Sequence, residues 1–123
     1  MAIRLLVVDD DVRVRTAIGQ TIALEDDIVI VAEAASAKAA LALAKDAALS
    51  VALVDVLLPD AGTGLRLVRT LNHETGCAVV AISARGGLQD AALAAGAVAF
   101  LEKGGDIEGV LAAIRDAALP HRA

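Results

Sequence analysis

A chain of 123 residues is long enough for one domain with a single buried core and too short for two. Hydrophobic residues make up 58% of it but come in runs of strand length, far below the ~20 apolar residues a spanning helix needs, so a soluble, cytoplasmic protein without membrane contact is expected. A net charge of −5 repels nucleic acid phosphates and a single aromatic leaves almost nothing to stack on bases, which argues against direct nucleic acid binding.

In chain order, the N-terminal MAIRLLVVDD carries no apolar region followed by a small-residue cleavage site, hence no export signal. Ile3–Val8 reads as a strand that runs into Asp9, Asp10 and Asp11. A helix is predicted over 11–24, where Val14, Ile18 and Ile22 form one apolar stripe and Asp11 suits the N-cap. Ile28–Ala34 is a second strand, followed by a helix over 36–48 that Ser36 can cap and that presents a face of small alanines. Val51–Asp55 is a third strand. The acidic Asp60 follows Pro59 in a loop and resembles Asp11 in its setting, and a short helix over 65–71 offers Leu65, Val68 and Leu71. Ala78–Ser83 is a fourth strand, with the lone Cys77 before it as a small buried hydrophobe that has no disulfide partner. An Ala-rich helix over 88–95, a fifth strand over 97–102 and a helix over 106–118 capped by Asp106 complete the series. Residues 120–123, with Pro120 and His121, read as a polar tail or the start of a linker after a domain of residues 1–119. His73 is expected in polar chain after the third helix, and both histidines in solvent.

The five strands are too continuously apolar to alternate, which suits strands covered on both faces. Strand and helix alternating five times predicts an α/β doubly wound parallel sheet with helices on both faces.

In such sheets ligands bind beyond the carboxyl ends of the strands. The first strand delivers Asp9 and Asp10 there, the third Asp55, the fourth Ser83 and the fifth Lys103. Singly, each has an ordinary explanation as a cap, a turn former or a surface charge; together, in order, at one rim, they point to a site. Three crowded carboxylates repel one another unless a cation joins them. Mg2+ takes oxygen ligands from one or two carboxylates, water and a phosphate, and Asp10, Asp55 and a loop carbonyl after Asp55 would supply them. With Lys103 as a point charge and Ser83 as a donor, the rim suits a phosphoryl group, and Asp55 suits a nucleophile that forms an aspartyl phosphate.

These residues lie in VVDD at 7–10, LVDVLLPD at 53–60, AIS at 81–83 and GAVAFLEK at 96–103, and in this the whole chain resembles the receiver domain of two-component response regulators. VIVAEAAS and FLEKGG further resemble receivers that precede LuxR-type helix-turn-helix output domains. The resemblance implies a CheY-like, flavodoxin-like sheet of strand order 2-1-3-4-5. It implies that Asp55 is the phosphoacceptor, Asp10 a direct Mg2+ ligand, Asp9 an acid acting on the metal through water, and the Leu57 backbone carbonyl the remaining protein ligand. Lys103 would contact the phosphoryl group or Asp55, Ser83 would swing in to bond the phosphoryl group, and Phe100 would follow that swing, with plain core filling as its alternative. A sensor histidine kinase is the implied phosphodonor, a homodimer is left open, and DNA would be reached only through an output domain. No enzyme activity is implied beyond self-phosphorylation and autodephosphorylation. Helix four, strand five and helix five would form the readout face.

Three departures from the family pattern stand out. Gly62 and Gly64 flank the position eight after Asp55 where the family has glycine, so the loop after Pro59 is expected to be one residue longer. Gly104 and Gly105 follow Lys103 where many receivers have a cis proline, so no cis bond and a more mobile loop are expected there. Leu57 and Arg85 stand at the two variable positions beside the phosphoryl site, and an apolar Leu57 predicts slow autodephosphorylation by hindering water.

Two alternatives are set beside this reading. In a haloacid-dehalogenase-type phosphatase Asp9 and Asp11 would form the D-x-D pair, but Arg13 stands where Thr is wanted and Val110 where an acid is wanted. A receiver-like interaction module that no longer takes phosphate would lack an acid or the lysine, and this chain keeps them all.

Overall fold

A computed structural model describes residues 2–46 and 48–119; residues 1 and 47 and the 120–123 tail, with His121, lie outside the described residues. Five strands, β1 (Ile3–Val8), β2 (Ile28–Ala34), β3 (Val51–Asp55), β4 (Ala78–Ser83) and β5 (Ala99–Glu102), form one parallel sheet of order β2-β1-β3-β4-β5. Helices α1 (Val12–Ile22), α2 (Ala37–Asp46), α3 (Ala61–Glu74), α4 (Gln89–Ala95) and α5 (Ile107–Ala118) alternate with them. This is the doubly wound architecture and the strand order expected from the sequence.

The sheet has a core on each face because successive side chains of a strand point to opposite sides. Leu6, Val8, Val54 and Ala81 join the α2, α3 and α4 side, while Leu5, Val7, Leu53 and Ile82 join the α1 and α5 side. All of β3 is buried, which is why its sequence shows no polar alternation before Asp55. Fully buried leucines such as Leu5, Leu6, Leu53 and Leu67 each contribute about 1.5–3 kcal/mol by leaving water.

β2 contains an irregularity that periodicity does not reveal. Its register against β1 runs Leu5↔Ile30 and then Leu6↔Ala32, leaving Val31 unpaired as a bulge. In consequence Ile28 and Ile30 pack with α1 and α5, whereas Ala32 and Ala34 pack with α2 and α3. The bulge also turns Glu33 to the same side of the sheet as Val7, its partner in β1.

Several boundaries differ from the sequence expectation. α1 ends at Ile22, with Leu24 beyond it in solvent, and Asp11 stands outside as the N-cap. α2 begins after Ser36, whose Oγ accepts from the Ala39 amide at 3.1 Å as a cap should. α3 begins at Ala61 rather than 65, because Asp60 caps it by accepting from the Thr63 amide at 2.8 Å. It runs on to Glu74, so His73 sits exposed in its last turn and not in polar chain beyond it.

β5 begins at Ala99 rather than 97, since Ala97 donates back to the Ala92 carbonyl at 3.0 Å around the left-handed Gly96 that ends α4. Among the described residues the one cis peptide is Leu58–Pro59, and the bond after Lys103 is trans as expected. Cys77 is buried, also as expected. At the end of the sheet remote from the acids, Arg115 of α5 donates to both Asp27 oxygens at 2.8 and 2.9 Å and to Glu25 at 2.6 Å.

No helix among the described residues is long and apolar enough to cross a membrane.

Candidate functional site

The sheet brings the predicted acids together. One carboxylate oxygen from each of Asp9, Asp10 and Asp55 lies within 4.8 Å of the others, Asp9 and Asp55 buried and Asp10 exposed. Adjacent pairing of β1 with β3 makes this so, since Val8↔Val54 sets the ends of the two strands side by side.

Lys103 reaches in from the end of β5. Its Nζ lies 2.8 Å from Asp55 Oδ2, a hydrogen bond, and 2.7 Å from Asp9 Oδ2. The second contact is an ion pair that lacks hydrogen-bond direction, so Asp9 Oδ2 is fully buried without a hydrogen bond. Burial pulls the Lys103 ammonium down, but the hydrogen bond to Asp55 and the close negative charges of Asp55 and Asp9 outweigh it and hold the ammonium above its ordinary range. The lysine backbone is fixed as well, its amide donating to the Ser83 carbonyl at 2.8 Å.

The remaining predicted residues line the same rim. Ser83 is fully buried at the end of β4, and its hydroxyl accepts from the Arg85 amide at 3.0 Å. Leu57 is half-buried beside Asp55, its amide donating to Asp55 Oδ1 at 3.0 Å. Phe100 is half-buried in β5 against the core on the α2, α3 and α4 side.

Gly64 holds the loop that carries Leu57. A Cβ at Gly64 would fall 1.8 Å from the Val56 carbonyl oxygen, so the first turn of α3 touches the backbone just after Asp55 and only glycine fits. The longer loop expected after Pro59 therefore still delivers a glycine to this contact, one residue later.

The donor set fits a hard divalent cation. With Mg–O bonds of about 2.1 Å, opposite ligands stand about 4.2 Å apart, so a cluster within 4.8 Å needs only a small contraction or a bridging water. Asp9 is the acid suited to act through water, because Oδ1 already accepts from the Asp11 amide at 2.9 Å and Oδ2 faces Lys103.

Asp11 does not join the cluster. Its carboxylate caps α1 by accepting from the Arg13 amide at 2.9 Å and pairs with the Arg13 guanidinium. A D-x-D phosphatase reading thus loses its second acid.

Sequence reasoning missed two residues behind the site. Arg15 Nη1 donates to the Asp9 carbonyl at 2.6 Å, and its Nε donates to Glu33 Oε1 at 3.2 Å. Only the bulge at Val31 brings Glu33 to that side, and nothing in the apolar run IVIVA reveals it.

The family model of the response regulator receiver domain matches residues 5–115. The transcriptional regulatory protein UhpA of Salmonella typhimurium is 32% identical over 116 residues, which are 94% of this chain and 59% of UhpA. The chain thus spans about 59% of the length of the curated relatives it matches. Among solved structures, the signal receiver domain of NarL from Mycobacterium tuberculosis superposes with a TM-score of 0.83 at 30% identity, covering 98% of both chains. A LuxR-family DNA-binding response regulator from Staphylococcus aureus gives 0.83 at 23% identity over 94% of this chain and 98% of that one, a likeness of fold alone.

Proposed function

The chain belongs to the response regulator receiver domain family of two-component signalling, and from that premise we propose that it accepts a phosphoryl group on Asp55 from a sensor histidine kinase and switches conformation to control an output. The observation that carries this reading is the sharing of one ammonium, Lys103 Nζ, between Asp55 at 2.8 Å and Asp9 at 2.7 Å, with Asp10 alongside.

In the proposed reaction an Asp55 oxygen forms the new O–P bond while the N–P bond to the kinase histidine breaks, and the electron pair leaves on the imidazole nitrogen. Lys103 lowers the repulsion between Asp55 and the incoming anion and then holds a phosphoryl oxygen. Asp9, Asp10, Asp55 and the Leu57 carbonyl would hold Mg2+, whose contribution is to neutralise charge on the phosphoryl oxygens. The Asp55 side chain passes from one negative charge to as many as two and gains three acceptor oxygens, which recruit the Ser83 hydroxyl; Phe100 turns into the space that movement leaves.

Two conformations separated by a few kcal/mol invert their populations with a few such charge-assisted bonds. The readout surface is α4, β5 and α5. We read residues 1–119 as the receiver and 120–123 as the start of a linker, the protein as cytoplasmic, and the output as a LuxR-type DNA-binding domain that regulates transcription. The resemblance of VIVAEAAS and FLEKGG and the greater length of UhpA support that output. Self-association into a homodimer fits this role.

Incubation with acetyl phosphate, with and without Mg2+, tests the proposal by intact mass. A single phosphoryl gain that needs Mg2+ and vanishes in Asp55→Asn is the expected result. Label that survives in Asp55→Asn and disappears in Asp9→Asn would replace the receiver reading with the phosphatase one. Since Phe100 is the sole aromatic, its ring signal in NMR reports the switch, and Ser83→Ala should take the label without moving that signal.

A further inference from the structure

We propose that Arg15 and Glu33 form a positioning pair that fixes the peptide between Asp9 and Asp10 and thereby sets how tightly the acidic cluster binds a divalent cation. This deepens the receiver reading and rests on it. The β1–α1 turn must present Asp9 inward and Asp10 outward from adjacent positions, so the orientation of the one peptide joining them decides where both carboxylates stand. That peptide is held at its carbonyl, which accepts from Arg15 Nη1 at 2.6 Å, while the peptide before it is pinned to β2 by the Asp9 amide donating to the Ala34 carbonyl at 3.0 Å. Arg15 is itself fixed, its Nε bonded to Glu33 at 3.2 Å and its side chain only 16% exposed.

The placement of this arginine is otherwise unfavourable. A guanidinium beside a site for a doubly charged cation repels that cation, and charge alone would favour an apolar residue here. Two features offset the cost. Glu33 neutralises the guanidinium, and the β2 bulge at Val31 aims Glu33 at it; in an unbroken register Glu33 would face the α2 side. Residues that orient metal ligands from behind are commonly worth 10–100-fold, roughly, in metal affinity.

The sign of one substitution separates positioning from charge. In Arg15→Met the stem length is nearly kept while the charge and both donors go. Positioning predicts Mg2+ binding about tenfold weaker by calorimetry, together with loss of the sharp Asp9 and Asp10 amide signals in NMR without Mg2+. Charge alone predicts tighter binding and unchanged signals. Glu33→Gln, whose carboxylate is 45% exposed, keeps the fold if Arg15→Met does not. Its titration is run in about 0.5 M KCl, where the Debye length is about 4 Å and simple charge effects fade. Weaker binding that persists there supports the pair, and binding equal to wild type overturns it. Wild-type protein that binds no Mg2+ would instead overturn the receiver reading, so the two failures are distinct.

Discussion

Replacing Lys103 with methionine removes the only ammonium within reach of Asp9 and Asp55 among the described residues and leaves two buried carboxylates facing each other. Removing one partner of a buried pair costs about 3–5 kcal/mol. Lys103 is 21% exposed, whereas Asp9 is 0% and Asp55 5% exposed, so water recovers part of that and about 2 kcal/mol is the expected loss. At about 2.1 cal/mol/K per residue, a chain of 123 residues unfolds with an entropy near ~0.25 kcal/mol/K, so the midpoint should fall by about 8 °C. Mg2+ at a hundred times its Kd stabilises by about 2.7 kcal/mol. In the variant the ion meets three acids with no competing cation, so it should bind more tightly and restore most of the lost stability. Thermal melts by circular dichroism in EDTA and in Mg2+ measure both quantities. A variant that melts within about 2 °C of wild type in EDTA, or gains no more from Mg2+, would refute the idea that cations hold this cluster together.

Three further outcomes follow from the same geometry. Gly64→Ala drives a methyl into the Val56 carbonyl, and urea titration should show a loss of about 3 kcal/mol together with weakened Mg2+ binding. The Thr63 amide holds the Asp60 carboxyl below its ordinary value of 3.8, and Arg115 does the same for Asp27. Both groups are depressed on folding, so their stabilisation is present above pH 3.8 and is lost as pH falls through their lower folded values. Urea midpoints of Asp60→Ala and wild type should therefore differ by a constant amount from neutral to mildly acidic pH and converge below 3.8; a gap that stays open there would contradict this. Leu57→Asn should admit water beside Asp55 and shorten the life of the aspartyl phosphate about tenfold, equivalent to 1.4 kcal/mol of barrier. Rapid hydrolysis in wild type that no substitution of Leu57 slows would count against that shielding role.

Sequence reasoning reached the site because the sheet does the assembling. Once β1, β3, β4 and β5 are recognised as buried parallel strands, Asp9, Asp55, Ser83 and Lys103 have nowhere to go but one rim. The same logic failed where order comes from backbone contacts rather than apolar spacing. The start of α3, Ala61-Gly62-Thr63-Gly64, looks like a loop because its glycines weaken helix propensity, yet an Asp60 cap and the Gly64–Val56 contact hold it helical. β5 starts two residues late because Ala97 is committed to closing α4, a use of the amide that no side chain announces. The Arg15–Glu33 pair depends on a single unpaired residue in β2, and a run that is apolar at both parities hides such a shift.

The clamp of Arg115 on Asp27 and Glu25 makes the last helix a rod with a fulcrum. It is riveted at its carboxyl end, while its amino end follows the Gly104-Gly105 step beside Lys103, where Gly104 takes a left-handed φ of 81°. Twelve residues make a helix about 18 Å long, so a tilt of about 5° about the riveted end sweeps the free end by about 1.5 Å. A displacement of the lysine is thus passed on at nearly full size to the helix end beside β5 and dies away toward the opposite pole.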